Sequence, residues 1–160
     1  MTDFREFIQT LTRQLALPLP GADAQRQMVP PTRKIMPEKN AYSGKPKRSA
    51  VLILFYPVAK VPYFVLIERA VYQGVHSGQI AFPGGQYDPK DKNLQTTALR
   101  EAQEEININP KQVKVIGRLT PVYIPPSHFD VYPFVSLKLI VKKNFYQVLI
   151  LFAKTELYLP

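Results

Sequence analysis

The densest chemistry in the chain lies in six consecutive residues, Arg100-Glu101-Ala102-Gln103-Glu104-Glu105. On a helix advancing about 100° per residue, Glu101, Glu104 and Glu105 fall within an arc of about 100°, while Leu99, Ala102 and Ile106 form a separate apolar stripe. Three carboxylates then share one face of a helix anchored by another. Like charges at these spacings destabilise a helix by about a few tenths of a kcal/mol per pair, and a bound divalent cation reverses that sign. Hard oxygen ligands suit Mg²⁺ or Mn²⁺, which polarise phosphate oxygens and activate water. The bland alternative is a solvated acidic face with Arg100 pairing to Glu104. The flank shifts the balance: Pro83-Gly84-Gly85 lies just upstream, where glycine lets the backbone approach a ligand closely.

Several elements must position this segment. Leu94 to Ile106 reads as the acidic helix, and Gln79 to Phe82 as a short strand running into the glycine turn. Ala50 to Tyr56 and Tyr63 to Ile67 are apolar and partly β-branched, which predicts a hairpin with Pro57 and Pro62 bounding its turn. Val113 to Leu119 and Phe129 to Val135 read as further strands separated by the Pro-rich turn Tyr123 to Ser127. Phe4, Phe7, Ile8, Leu11 and Leu15 recur at helical spacing over Asp3 to Leu17, with Asp3 and Glu6 as a capping pair and Pro18 as the stop. From there to Arg48 the chain reads as irregular and basic, either a solvated connector or an arm reaching phosphates. Two regions follow: residues 1–48, a helix and Pro-rich basic connector, and residues 49–160, the domain that carries the chemistry. Strands mixed with a central helix predict an α+β domain.

The chain of 160 residues is 46% hydrophobic and 21% charged, which supports one globular core. Cysteine is absent, which excludes disulfides, zinc–thiolate sites and cysteine nucleophiles. No apolar run approaches the roughly 18 to 20 residues that span a bilayer, so no membrane partner and a cytoplasmic setting are expected. The net charge of +9 favours polyanionic ligands. A small polyphosphate fits that charge better than nucleic acid, because no RNA-binding motif accompanies it. Ser127, His128 and Asp130 are near neighbours along one loop rather than a converged nucleophilic triad.

Gly85, Asp91, Arg100, Glu101, Ala102, Glu104, Glu105 and Ile108 together resemble the signature box of Nudix hydrolases, which cut a diphosphate linked to another moiety. The resemblance implies a Nudix-like α/β/α sandwich with a mixed β-sheet. It further implies divalent metal, Mg²⁺ or Mn²⁺, held by Glu101, Glu104, Glu105 and the Gly85 backbone, with Arg100 orienting a glutamate and Glu104 or Glu105 as the base. The chain differs from the general pattern in having Asp91 where glutamate is usual, a loop one residue longer before Arg100, and Asn107 where glycine is usual. Asparagine is the next best residue for a left-handed helix cap.

Upstream, Leu66-Ile67-Glu68-Arg69 and His76 to Gly85 resemble the added signature of the coenzyme A diphosphatase branch, and Leu19 to Gln25 with Met28 and Pro30 resembles its N-terminal segment. The branch implies hydrolysis of coenzyme A or its thioesters to 3′,5′-ADP and 4′-phosphopantetheine, or the acylated form. The alternative is a nucleotide-binding module of the same fold with weak or no hydrolysis. Arg69 can pair bidentately with phosphate, and His76, Ser77 and Gln79 are hydrogen-bonding groups beside the glycine turn. Each also has a structural reading, Arg69 balancing Glu68 and His76 supporting the turn. Beyond Val135 the sequence leaves the family pattern, so residues 136–160 are expected to be an atypical, shortened tail. Its apolar run Val148 to Ala153 is expected to pair within the sheet or across a homodimer.

Overall fold

The computed structural model describes residues 3–28, 44–69, 78–138 and 153–154. Its centre is β1 (Lys47–Val58), a strand long enough to meet three partners. The edge away from the hairpin runs parallel to β8 (Phe129–Leu137) along Lys47–Phe55, and β8 continues antiparallel to β6 (Lys114–Arg118) and β7 (Val122–Ile124). The other edge is shared by β2 (Val61–Phe64) near its end and β5 (Gly84–Gln86) near its start, both antiparallel. The sheet is therefore mixed. Two short strands, β3 (Ile67–Glu68) and β4 (Ile80–Ala81), pair separately. The hairpin's second arm thus divides after Phe64 instead of running unbroken from Tyr63 to Ile67.

Strand alternation sends successive side chains to opposite faces. Ala50, Leu52, Leu54 and Tyr56 pack with Ala98, Ala102 and Ile106 of α3 (Leu94–Ile106). On the opposite face, Ile53 and Phe55 pack with Phe4 and Phe7 of α1 (Phe4–Leu15), and the Phe7 and Phe55 ring centroids lie 5.0 Å apart. One helix on each face of the sheet gives the expected sandwich. The buried stripe of α3 runs through Ala98, Ala102 and Ile106, with Leu99 only partly buried beside it, because residues four apart stack most directly along the helix.

Local chemistry explains the ends of these elements. The Asp3 carboxylate accepts from the Arg5 N–H at 2.8 Å and starts α1, and Asn93 caps α3 by accepting from the Thr96 N–H at 2.9 Å. Asn107 closes α3 at φ 52°, the left-handed cap that its residue type favours. The hairpin differs from expectation. Pro57 and Pro62 face each other inside the ladder, and the turn is Ala59–Lys60, both at positive φ. A two-residue turn makes Val58 and Val61 the closing hydrogen-bonded pair, so alternation leaves Pro57 and Pro62 where no ladder N–H is required.

The connector is also more ordered than its prolines predict. It contains α2 (Gly21–Gln27), and Gln25 Nε2 donates to the carbonyls of Thr120 at 3.1 Å and Pro121 at 3.3 Å. The basic segment 29–43 and the apolar residues 148–152 lie outside the described residues, while β9 (Ala153–Lys154) pairs antiparallel with β2. No helix among the described residues is long and apolar enough to cross a membrane.

Candidate active site

The acidic helix meets the glycine turn directly. Strand β5 runs beside the start of β1 and in contact with α3, so its backbone is shared by the carboxylates and by an open cleft. Glu105 Oε2 accepts from the Gly84 N–H at 2.8 Å. At Gly85 a β-carbon would collide with the Glu101 carboxyl, and at Gly84 it would collide with the Ala50 carbonyl oxygen. The two glycines are thus required by close approach, one to a carboxylate and one to the neighbouring strand.

Arg100 organises the remaining carboxylates. Its Nε and Nη2 bind the two oxygens of Asp91 at 3.0 and 3.1 Å, and its Nη1 reaches Glu101 Oε1 at 2.9 Å and Glu104 at 3.3 Å. Asp91, only 7% exposed, also accepts from Thr97 Oγ1 at 2.9 Å and from the Asp88 N–H at 3.2 Å. This Asp91–Arg100 fork fixes the guanidinium, which in turn restrains two glutamates of the trio. The hydrogen bonds that Arg100 donates hold the Asp91 carboxyl below the usual carboxylate range, and the same bonds, accepted by Asp91, push the Arg100 guanidinium above its ordinary value.

Glu105 behaves oppositely. Burial pushes its carboxyl above the usual range against the opposing pull of the Gly84 N–H, and the charges of Glu101 and Glu104 add to the rise while Arg69 counters it. A positive ion at this face would relieve that repulsion. The donor chemistry fits a divalent cation, since three hard carboxylates and a glycine backbone occupy one edge. Among the described residues no three His, Asp or Glu side chains are already gathered around one point, because Arg100 and Gly84 engage them.

The cleft, about 290 Å³, opens on the face of the sheet opposite α3. Arg69 and Gln79 line it beside Gly84 and Gly85, and the Arg69 N–H donates to the Gln79 carbonyl at 3.0 Å. The structure therefore brings Arg100, Glu101, Glu104, Glu105 and Gly85 together, with Arg69 and Gln79 across β5. His76 and Ser77 lie outside the described residues.

Sequence reasoning placed no role on Asp91, although it sits in the quoted motif, and did not foresee that the Gly84 N–H binds Glu105. It also missed the second wall of the cleft, formed by Ile124, Ser127, Phe129 and Val131. Phe129 and Val131 on β8 share a face with Ser49 and Val51 on β1, but the parallel register that joins the two strands is not written in either segment alone. His128 meets the Tyr123 hydroxyl through Nδ1 at 2.8 Å and the Gly44 carbonyl through Nε2 at 3.3 Å, so the imidazole supports the loop.

Comparison with known proteins identifies the family and the fold. The NUDIX domain family model matches residues 46–156. A Photorhabdus laumondii protein named Uncharacterized Nudix hydrolase NudL is 41% identical over 98 residues, covering 61% of this chain and 48% of that protein. A Yersinia pestis protein of the same name is 39% identical over 111 residues, covering 68% and 54%. The chain thus spans about half the length of these relatives. Among solved structures, the Mycobacterium smegmatis (M. smegmatis) Nudix hydrolase RenU superposes with TM-score 0.53 at 17% identity over 69% of this chain and 72% of its own. The C. elegans Ap4A hydrolase gives TM-score 0.51 at 18% identity over 68% and 80%. At these identities the structural likeness speaks for the fold.

Proposed function

Because the chain belongs to the NUDIX domain family, we propose that it is a metal-dependent hydrolase that cuts the diphosphate of coenzyme A or its thioesters. The products are 3′,5′-ADP and 4′-phosphopantetheine or its acyl form. The observation that carries the reading is the shared β5 backbone, with Glu101 and Glu105 against Gly85 and Gly84 and Arg69 across the strand. A diphosphate lying along that strand would have the glutamates on one side and Arg69 on the other. The coenzyme A assignment draws its support from the segments Leu66 to Arg69 and His76 to Gly85, which supply Arg69 and Gln79 to the cleft.

Glu101, Glu104 and Glu105, with the Gly85 carbonyl, would hold Mg²⁺ or Mn²⁺. When bound, such ions neutralise the diphosphate and activate water for in-line attack on phosphorus. The protein's own groups do the positioning. Arg100, locked by Asp91, orients Glu101 and Glu104, and the Gly84 N–H orients Glu105. Arg69 binds phosphate oxygens. Glu104 or Glu105 takes the proton from the attacking water as the anhydride P–O bond breaks.

The test is to incubate the purified protein with Mg²⁺ or Mn²⁺ and, separately, coenzyme A, ADP-ribose, a dinucleotide and capped RNA, then resolve the products. Metal-dependent release of 3′,5′-ADP is expected. Stoichiometric binding without turnover would favour the nucleotide-binding module, and preferential cleavage of another diphosphate would overturn the coenzyme A assignment.

A further inference from the structure

The two walls of the cleft differ in chemistry. Beside β5 stand Arg69 and Gln79, while the other wall is apolar apart from one hydroxyl: Ile124, Ser127, Phe129 and Val131. That wall is built from a tightly closed turn. Ile124 pairs with Phe129 across β7 and β8, and between them Pro125–Ser127 forms one 3₁₀ turn ended by His128 at φ 52°. The His128 N–H donates to the Pro125 carbonyl at 3.1 Å, and its own carbonyl accepts from the Lys47 N–H at 3.0 Å, tying the turn to the start of β1. The Tyr123 hydroxyl meets His128 Nδ1 at 2.8 Å, with the rings edge-to-face at 5.8 Å. Lys47 Nζ stands 5.8 Å from the Phe129 ring centroid.

A ligand matching these walls carries anionic phosphate at one end and a flat, weakly polar group at the other. We propose that the wall of Ile124, Ser127 and Phe129 seats the nucleoside base of the substrate, and that Tyr123 and His128 are positioning residues that hold the wall. This rests on the reading that the substrate is a nucleotide diphosphate. The flexible pantetheine arm, a chain of amides, is a poorer match, because the Ile124, Phe129 and Val131 side chains of that wall offer its amides no hydrogen-bonding partner.

The test is calorimetric titration of the full chain, without added divalent metal, using adenosine 3′,5′-bisphosphate, ribose 5-phosphate and 4′-phosphopantetheine as separate probes. Phe129→Leu keeps apolar volume and removes the ring, so it should weaken the bisphosphate about tenfold, the scale of one stacking contact. Tyr123→Phe should weaken it about threefold, and His128→Asn, which keeps tolerance of the left-handed backbone, should act similarly. Ribose 5-phosphate affinity should not change in any variant, which separates loss of the base seat from general unfolding. Bisphosphate binding unaltered in Phe129→Leu, no bisphosphate binding by the wild type, or a selective loss of 4′-phosphopantetheine would each overturn the proposal. The hydrolase reading fails separately: a wild type that turns over coenzyme A with KM unmoved by Phe129→Leu keeps the activity and loses the base seat. Base-selective binding without turnover does the reverse.

Discussion

Replacing Asp91 by Asn tests whether the fork beneath Arg100 holds the site together. The change is nearly isosteric, but it substitutes an amide for one oxygen of a carboxylate that is 7% exposed and accepts from Arg100 twice, from Thr97 and from Asp88. Breaking a buried ion pair costs about 3–5 kcal/mol, and the Arg100 side chain is 31% exposed, so water recovers part of that. A loss of about 2–3 kcal/mol remains, equivalent to roughly 5–10 °C in melting temperature for a domain of this size. Urea unfolding at pH 7 measures it. The contribution has a defined pH dependence. The folded Asp91 carboxyl titrates below its unfolded value of about 3.9, so its stabilisation is complete above that pH and fades as acid titrates the folded group. The gap between wild type and Asp91→Asn should therefore be constant from pH 5 to 7 and narrow below about pH 4. A difference under about 0.5 kcal/mol at pH 7, the size of an ordinary surface substitution, would refute the reasoning.

Three further substitutions probe other parts of the account. Gly85→Ala puts a methyl into the Glu101 carboxyl, the end of a flexible side chain, so melting temperature should hold while Mn²⁺ affinity, read by calorimetry, falls about tenfold. Glu105→Gln keeps an acceptor for the Gly84 N–H and removes a charge that burial disfavours; stability at neutral pH should hold or rise, while turnover falls at least about 100-fold. The sign follows from the raised Glu105 carboxyl: its ionisation costs the folded state stability above the folded titration point, and the amide escapes that cost. Phe7→Ala empties a position that is 4% exposed and packed against the tilted Phe55 ring, and should cost about 3–5 kcal/mol in urea unfolding if α1 is a full layer of the sandwich.

What could be read from the sequence was what local pattern encodes. Helix α3 shows its period and its Asn107 stop in the local sequence, and the expected bounds Leu94 to Ile106 are those observed. The three glutamates and Gly85 share one motif for the same reason. Features set by distant partners were not legible. Helix α2 buries none of its residues and has no apolar stripe to betray it; Gln25 instead reaches carbonyls about 95 positions along the chain. Pro57 and Pro62 look like turn boundaries in sequence, yet the closing pair Val58 and Val61 places them in the ladder. Asp91 reads as a conservative variant in a motif, and its burial beneath Arg100 emerges only once the loop folds back on α3. The wall of Ile124, Ser127 and Phe129 depends on β7 and β8 meeting β1, a register that no local spacing states.

The most direct measurement is product analysis of coenzyme A incubated with the purified protein in Mn²⁺, with and without excess chelator, beside Glu104→Gln. The wild type should release 3′,5′-ADP and 4′-phosphopantetheine in equal amounts, with none in chelator and almost none from the folded variant. Undiminished cleavage by Glu104→Gln, cleavage that ignores the chelator, or no cleavage of coenzyme A by a folded, metal-loaded protein would contradict it.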